Sequence, residues 1–173
     1  MQIVKIPTER IKVLLGEGGQ TEKMLERQGG ITIEADVDGN VSITAEDPIV
    51  EWKAVDVIKA IGRGFAPLVA SKLFNEEYVL KVISLREMFS KEKQRLRYKA
   101  RVIGTKGKAK ATIEEFSGAL LCIYGNTVSI LGKLEEVALA GRAVGLLLEG
   151  ASHGVVYFVL RKERQKMQEA GLL

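Results

Sequence analysis

The chain has 173 residues, 46% of them hydrophobic and 28% charged, with a formal net charge of +4 at pH 7. Those proportions are ordinary for a soluble globular protein, and the length allows one medium domain or two small ones. No apolar run reaches the roughly 18 residues of a membrane span, and the start, Met1-Gln2-Ile3-Val4-Lys5, lacks the basic and apolar regions of a signal peptide. A cytoplasmic protein without a membrane partner is therefore expected.

In chain order, residues 2–6 alternate as a strand, and residues 9–15 read as a short helix ending at Gly16. A second helix over 21–28 is stopped by Gly29-Gly30. Residues 31–36 and 41–45 alternate apolar and polar around the turn Asp38-Gly39-Asn40, the pattern of a hairpin. Pro48 suits a first helical turn, and an amphipathic helix continues over 49–61. The same order then recurs: a strand over 78–85, a helix over 94–102, a helix over 108–116 stopped at Ser117-Gly118, a hairpin of 119–124 and 127–131 around Gly125-Asn126, and a helix over 135–148. A last helix over 154–170 follows Ser152, a candidate N-cap.

The recurrence extends to the residues. Leu15-Gly16-Glu17-Gly18-Gly19 resembles Ile103-Gly104-Thr105-Lys106-Gly107, at an offset of 88. Gly39-Asn40 matches Gly125-Asn126, and the spacing Ala54, Val57, Ile58, Ile61 matches Ala140, Ala143, Val144, Leu147, both at an offset of 86. Ordered matches at a near-constant offset predict two copies of one β-α-α-β-β-α domain. The expected domains are residues 1–70 and 76–173, the second carrying the final helix. Each is an α+β unit with a three-stranded sheet and helices on one face.

Charge separates the copies. Residues 1–75 carry a net charge of −2 and residues 76–173 a net charge of +6, with nine basic side chains and only Glu92 acidic between 91 and 110. So basic a block suggests a polyanionic partner.

The chemistry-bearing pattern is helix, G-x-x-G, helix. Glycines let the backbone turn tightly and approach another backbone, and the helix that follows offers free N–H groups to phosphate. No P-loop string is present, and a helix rather than a strand precedes the glycines, which argues against a dinucleotide loop. KH domains use this arrangement to hold about four nucleotides of single strand. The expected fold is thus two tandem type I KH domains plus a C-terminal helix. The candidate RNA-binding residues are Arg97, Lys99, Arg101, Gly104, Thr105, Lys106, Gly107, Lys108 and Lys110, with Ile103 and Ile123 as candidates for the base groove. In the first copy, Gly16, Glu17, Gly18 and Gly19 form a degenerate loop, with Glu22 and Glu26 just after it; these carboxylates would repel phosphate. Weak RNA binding or protein docking is expected there.

The string from Tyr98 to Glu114, and the later strings Val128-Ser129-Ile130-Leu131-Gly132 and Gly150-Ala151-Ser152-His153-Gly154-Val155-Val156-Tyr157, resemble the archaeal counterpart of the eukaryotic two-KH small-subunit ribosome assembly factor, the Dim/Pno family. The likeness is good over about residues 76–165, and in the first copy it rests on layout and the degenerate loop. It implies binding near the 3′ end of small-subunit ribosomal RNA, contact with the Nob endonuclease that trims it, and contact with a translation initiation factor.

The remaining chemistry is sparse. Cys122, the single cysteine, lies in an apolar run and reads as a buried, inert thiol; the single histidine, His153, reads as a capping or packing residue. Trp52 reads as a packing residue. Adjacent carboxylates such as Glu114 and Glu115 point about 100° apart on a helix and do not converge as acid and base. No enzyme and no cofactor or metal are expected. The rival to an RNA-binding assembly factor is a protein–protein adaptor whose KH folds have become scaffolding.

Overall fold

The structure, a computed structural model, describes all residues 1–173. The chain divides into two compact units, Met1–Tyr78 and Val79–Leu173.

In the first unit, β1 (Gln2–Lys5) leads into α1 (Thr8–Leu15), a one-turn 3-10 helix (Glu17–Gly19) and α2 (Gln20–Gly29). β2 (Thr32–Ala35), β3 (Asn40–Thr44) and α3 (Pro48–Gly62) follow. β3 is central and antiparallel to both neighbours, in the order β1-β3-β2. The hairpin closes as its turn residues require: the Asp36 carboxylate accepts from the backbone N–H groups of Asp38 and Asn40 and from the Asn40 side chain. The Asn40 side chain, first among these donors, holds that carboxyl below its ordinary range. Asp47 caps α3 by accepting from the Ile49 N–H at 2.9 Å, and Pro48, which has no N–H to satisfy, fills the first turn. The core side chains include Leu14, Leu25, Ile43, Val57, Ile58 and Ile61, all fully buried.

After α3, residues 67–74 are folded, and the segment between the two expected domains, 71–75, falls within the first unit. A short α4 (Pro67–Ala70) and a 3-10 turn (Ser71–Phe74) return to pack on α3 and bury Ala70 and Leu73.

The second unit runs β4 (Tyr78–Ser84, whose first residue closes the first unit), α5 (Leu85–Met88), α6 (Glu92–Ile103), a 3-10 turn (Thr105–Gly107) and α7 (Lys108–Ser117). Then come β5 (Leu120–Tyr124), β6 (Thr127–Lys133), α8 (Leu134–Leu148) and α9 (His153–Glu169). The sheet order is β4-β6-β5, with β5 and β6 antiparallel. Strand alternation sends Leu121 and Ile123, paired with Ile130 and Val128, toward the helices. Leu85, Val102, Ile113, Val144 and Leu160 complete this core, each contributing about 1.5–3 kcal/mol by its burial. Ser152 caps α9 as the sequence predicts, accepting from the Val155 N–H. No helix is long and apolar enough to cross a membrane.

Both units therefore share the order β-α-α-β-β-α. The four-residue α5, capped by Ser84, is an addition that the sequence reading does not contain. Two packing expectations fail. Trp52 is 70% exposed, because it lies on the face of α3 opposite the buried stripe formed by Ala54, Val57, Ile58 and Ile61. Cys122 is only half-buried, because alternation along β5 turns it to the sheet face opposite Leu121.

Candidate nucleic-acid interface

The two glycine loops have nearly superposable backbones. Gly16 and Gly104 both end their helix at positive φ (72° and 75°), and each donates its N–H to the carbonyl four residues back. Gly19 and Gly107 sit in the left-handed region at φ 74°. The third loop position is left-handed too: Gly18 at φ 61° in the first unit, Lys106 at φ 54° in the second. Lys106 is the only non-glycine residue of the chain with positive φ. That conformation costs an L-residue about 1–2 kcal/mol, and such strain gathers at functional sites.

The loops are locked from beneath by the same parts. A Cβ on Gly104 would lie 2.6 Å from the Ala109 Cβ and N, and one on Gly16 would collide with Thr21. On the outer side, a Cβ on Gly107 would meet nothing, so a second backbone has room to lie there. Behind each loop a glutamate staples helix to strand. Glu26 accepts from the Ile33 N–H and Glu114 from the Leu121 N–H, both at 2.8 Å. Glu114 is thus a structural carboxylate.

The side chains give the loops opposite electrostatics. In the second, Thr105, Lys106 and Lys108 are exposed, and neither lysine is in an ion pair. No side chain caps α7, which leaves its first-turn N–H groups available to an anion. In the first, Glu17 is exposed and Glu22 is pushed above its ordinary range, first by partial burial and then by the Glu26 carboxylate.

The basic candidates divide further. Lys99 is half-buried on α6, and Arg97 is exposed, its guanidinium 5.5 Å from the Tyr98 ring centroid. Lys110 turns to Glu114 at 3.3 Å, so its charge is already shared. Arg101 is not an outward-facing cation: its Nη2 donates to the Ala151 carbonyl, while the His153 imidazole donates from Nε2 to the Arg101 carbonyl at 2.9 Å. This reciprocal pair ties the end of α6 to the start of α9. Ile103 is 36% exposed beside the loop, whereas Ile123 packs against the core, so of the two only Ile103 is presented to a ligand. Tyr157 is a site residue outside the candidates that the sequence offers. It lines the loop's flank with His153, and the signal for it was the four-residue spacing of the two rings on one helix face. No group of three or more His, Cys, Asp and Glu side chains is placed to hold a metal ion.

Residues 79–165 match the family model of the eukaryotic-type KH domain, KH-domain type I, in the form of the second domain of Pno1. A KH domain-containing protein of Methanocaldococcus jannaschii is 45% identical over 98% of this chain and 77% of its own length. The pre-rRNA-processing protein pno1 of Aspergillus fumigatus is 36% identical over 40% of this chain and 27% of its own length. Among solved structures, the complex of a/eIF2alpha, aDim2p and rRNA from Pyrococcus horikoshii contains a chain 40% identical that superposes with a TM-score of 0.88, covering 95% of this chain and 94% of that one. The match spans β4 to α9 and takes in the loop, its glutamate staple and the start of the last helix: the chain belongs to the Pno1-type family of type I KH domains.

Proposed function

We propose that this protein binds single-stranded RNA through the loop at 104–107 and acts as a ribosome-assembly and rRNA-processing factor. The observation that carries the reading is Lys106, an exposed cation held in a strained left-handed conformation beside the open side of Gly107. A phosphodiester chain lies across the loop, with its charge met by Lys106, Lys108 and the first N–H groups of α7. Bases fall toward Ile103. The relatives support the RNA's class: one is a pre-rRNA-processing protein and another stands in a complex with rRNA. Within this reading the first unit is a second KH domain with a degenerate loop, and the domains are residues 1–70 and 76–173. The bound segment is the 3′ end region of small-subunit rRNA, presented to a Nob-type endonuclease. The protein holds the strand and leaves the cutting to its partner.

A second reading, an adaptor docking to a translation initiation factor, is favoured by the presence of a/eIF2alpha in the Pyrococcus complex. Titration of the purified chain with single-stranded RNA over a range of salt separates the two. RNA binding that weakens steeply with salt supports the clamp; absence of RNA binding leaves the adaptor.

A further inference from the structure

On the flank of the loop, Gly104, Thr105, Lys108, Ala109, His153 and Tyr157 line a cleft of about 240 Å³. Two elements build it. The loop and the start of α7 supply one wall, and the first two turns of α9 supply the other. The His153 ring is fixed by its Nε2 donation to the Arg101 carbonyl, so in the neutral tautomer its Nδ1 is left as an acceptor. Tyr157, one turn on, stands 6.2 Å away at an interplanar angle of 58°. Its hydroxyl makes no hydrogen bond within the protein and is open to solvent, free to meet a ligand. Thr105 and Lys108 are exposed at the rim. The space is smaller than the roughly 300–1,000 Å³ of a drug-sized site, and it suits a single planar group with an anion beside it.

The first unit supplies a control for this geometry. Beside its loop, Gln20, Thr21, Met24, Ala66, Pro67 and Leu68 line the corresponding hollow. No aromatic ring and no cation are among them, and its second wall comes from the four-residue α4, where the second unit has the 17-residue α9.

We infer that the His153–Tyr157 cleft is a nucleotide subsite, which takes one RNA nucleotide adjoining the stretch clamped by the loop. The base lies against the Tyr157 ring, with its edge toward the Tyr157 hydroxyl and His153 Nδ1, and its phosphate meets Lys108. This rests on the RNA reading above. The loop alone holds about four nucleotides, so the subsite adds one more and sets the direction in which the strand leaves the loop.

The test uses the full chain and two fluorescent single-stranded RNAs, of about four and about eight nucleotides. Tyr157→Leu keeps apolar bulk and removes the ring. It is expected to weaken binding of the longer RNA about tenfold, the loss of one stacked base, and to leave the shorter one unchanged. An equal effect on both lengths, or no effect on either, overturns the subsite. If the wild type binds neither RNA, the RNA reading itself has failed and the subsite falls with it. Should Tyr157→Leu not fold, ultraviolet cross-linking of the longer RNA to the wild-type chain decides. Adducts on Tyr157 as well as on the loop support the subsite, and adducts on the loop alone overturn it.

Discussion

The loops at 16–19 and 104–107 are one backbone carrying two chemistries. Both turn through positive φ at the same three positions, and both are stapled from behind by a glutamate bonded to a strand N–H at 2.8 Å. They differ in what occupies the left-handed third position. Gly18 takes that conformation without strain, while Lys106 takes it against its own preference. Shape therefore belongs to the fold, and function to the side chains laid on it. A loop kept only for its turn would be expected to carry glycine at that position. The second loop instead keeps a lysine there, beside an open surface.

The sharpest way to break the comparison is to invert the charge of each loop. The double substitution Thr105→Asp and Lys106→Asp is expected to nearly abolish RNA binding while melting close to the wild type, since an exposed loop tolerates such changes. The matching change at Glu17 and Gly18 to Asp should leave binding almost intact, because Glu17 is already acidic. Filter binding and thermal melts of both variants check this, and loss of binding in the first-loop variant would reverse the assignment.

Next in size are the glycines under each turn. Gly16→Ala and Gly104→Ala should each cost about 1–3 kcal/mol in denaturant unfolding, since a side chain at that positive φ is strained and closely opposed by its neighbours. Equal costs would show that the two backbones are equally constrained, and unequal costs would show that they are not.

A smaller effect isolates the strained lysine. Lys106→Gly relieves the left-handed strain but loosens the unfolded chain, so stability should move by less than about 1 kcal/mol. Its slope of log K against log salt should flatten by about 0.7, the loss of one phosphate contact. An unchanged slope would mean that Lys106 touches no phosphate.

The smallest change is expected from Glu114→Gln. An amide oxygen still accepts from the Leu121 N–H, while the ion pair with Lys110 disappears. Stability should hold within a few tenths of a kcal/mol to about 1 kcal/mol, and RNA binding should tighten slightly. Glu26→Gln, with no lysine to free, should leave RNA binding as it is.

Most of the fold was legible because it is written locally. Glycine spacing, the hairpin turns at Gly39-Asn40 and Gly125-Asn126, Pro48 after Asp47 and the Ser152 cap each report on neighbours within four residues. What the sequence hid depends on distant partners. Arg101 reads as an outward cation on a basic helix, and only the carbonyl of Ala151, 50 residues away, turns it inward. The same contact brings α9 beside the loop and makes His153 and Tyr157 part of its flank. Ile123 was ambiguous for the same reason: its side of β5 is decided by the pairing with β6. The turn at 85–88 and the return of 67–74 onto α3 are too short to carry a helical period.

The most direct test of the central claim reads both loops in one unmodified molecule: backbone amide signals of the full chain, followed by NMR as single-stranded RNA is added. Shifts are expected to concentrate on residues 103–110, with residues 16–22 unmoved. Shifts concentrated on 16–22, with 103–110 unmoved, would contradict it.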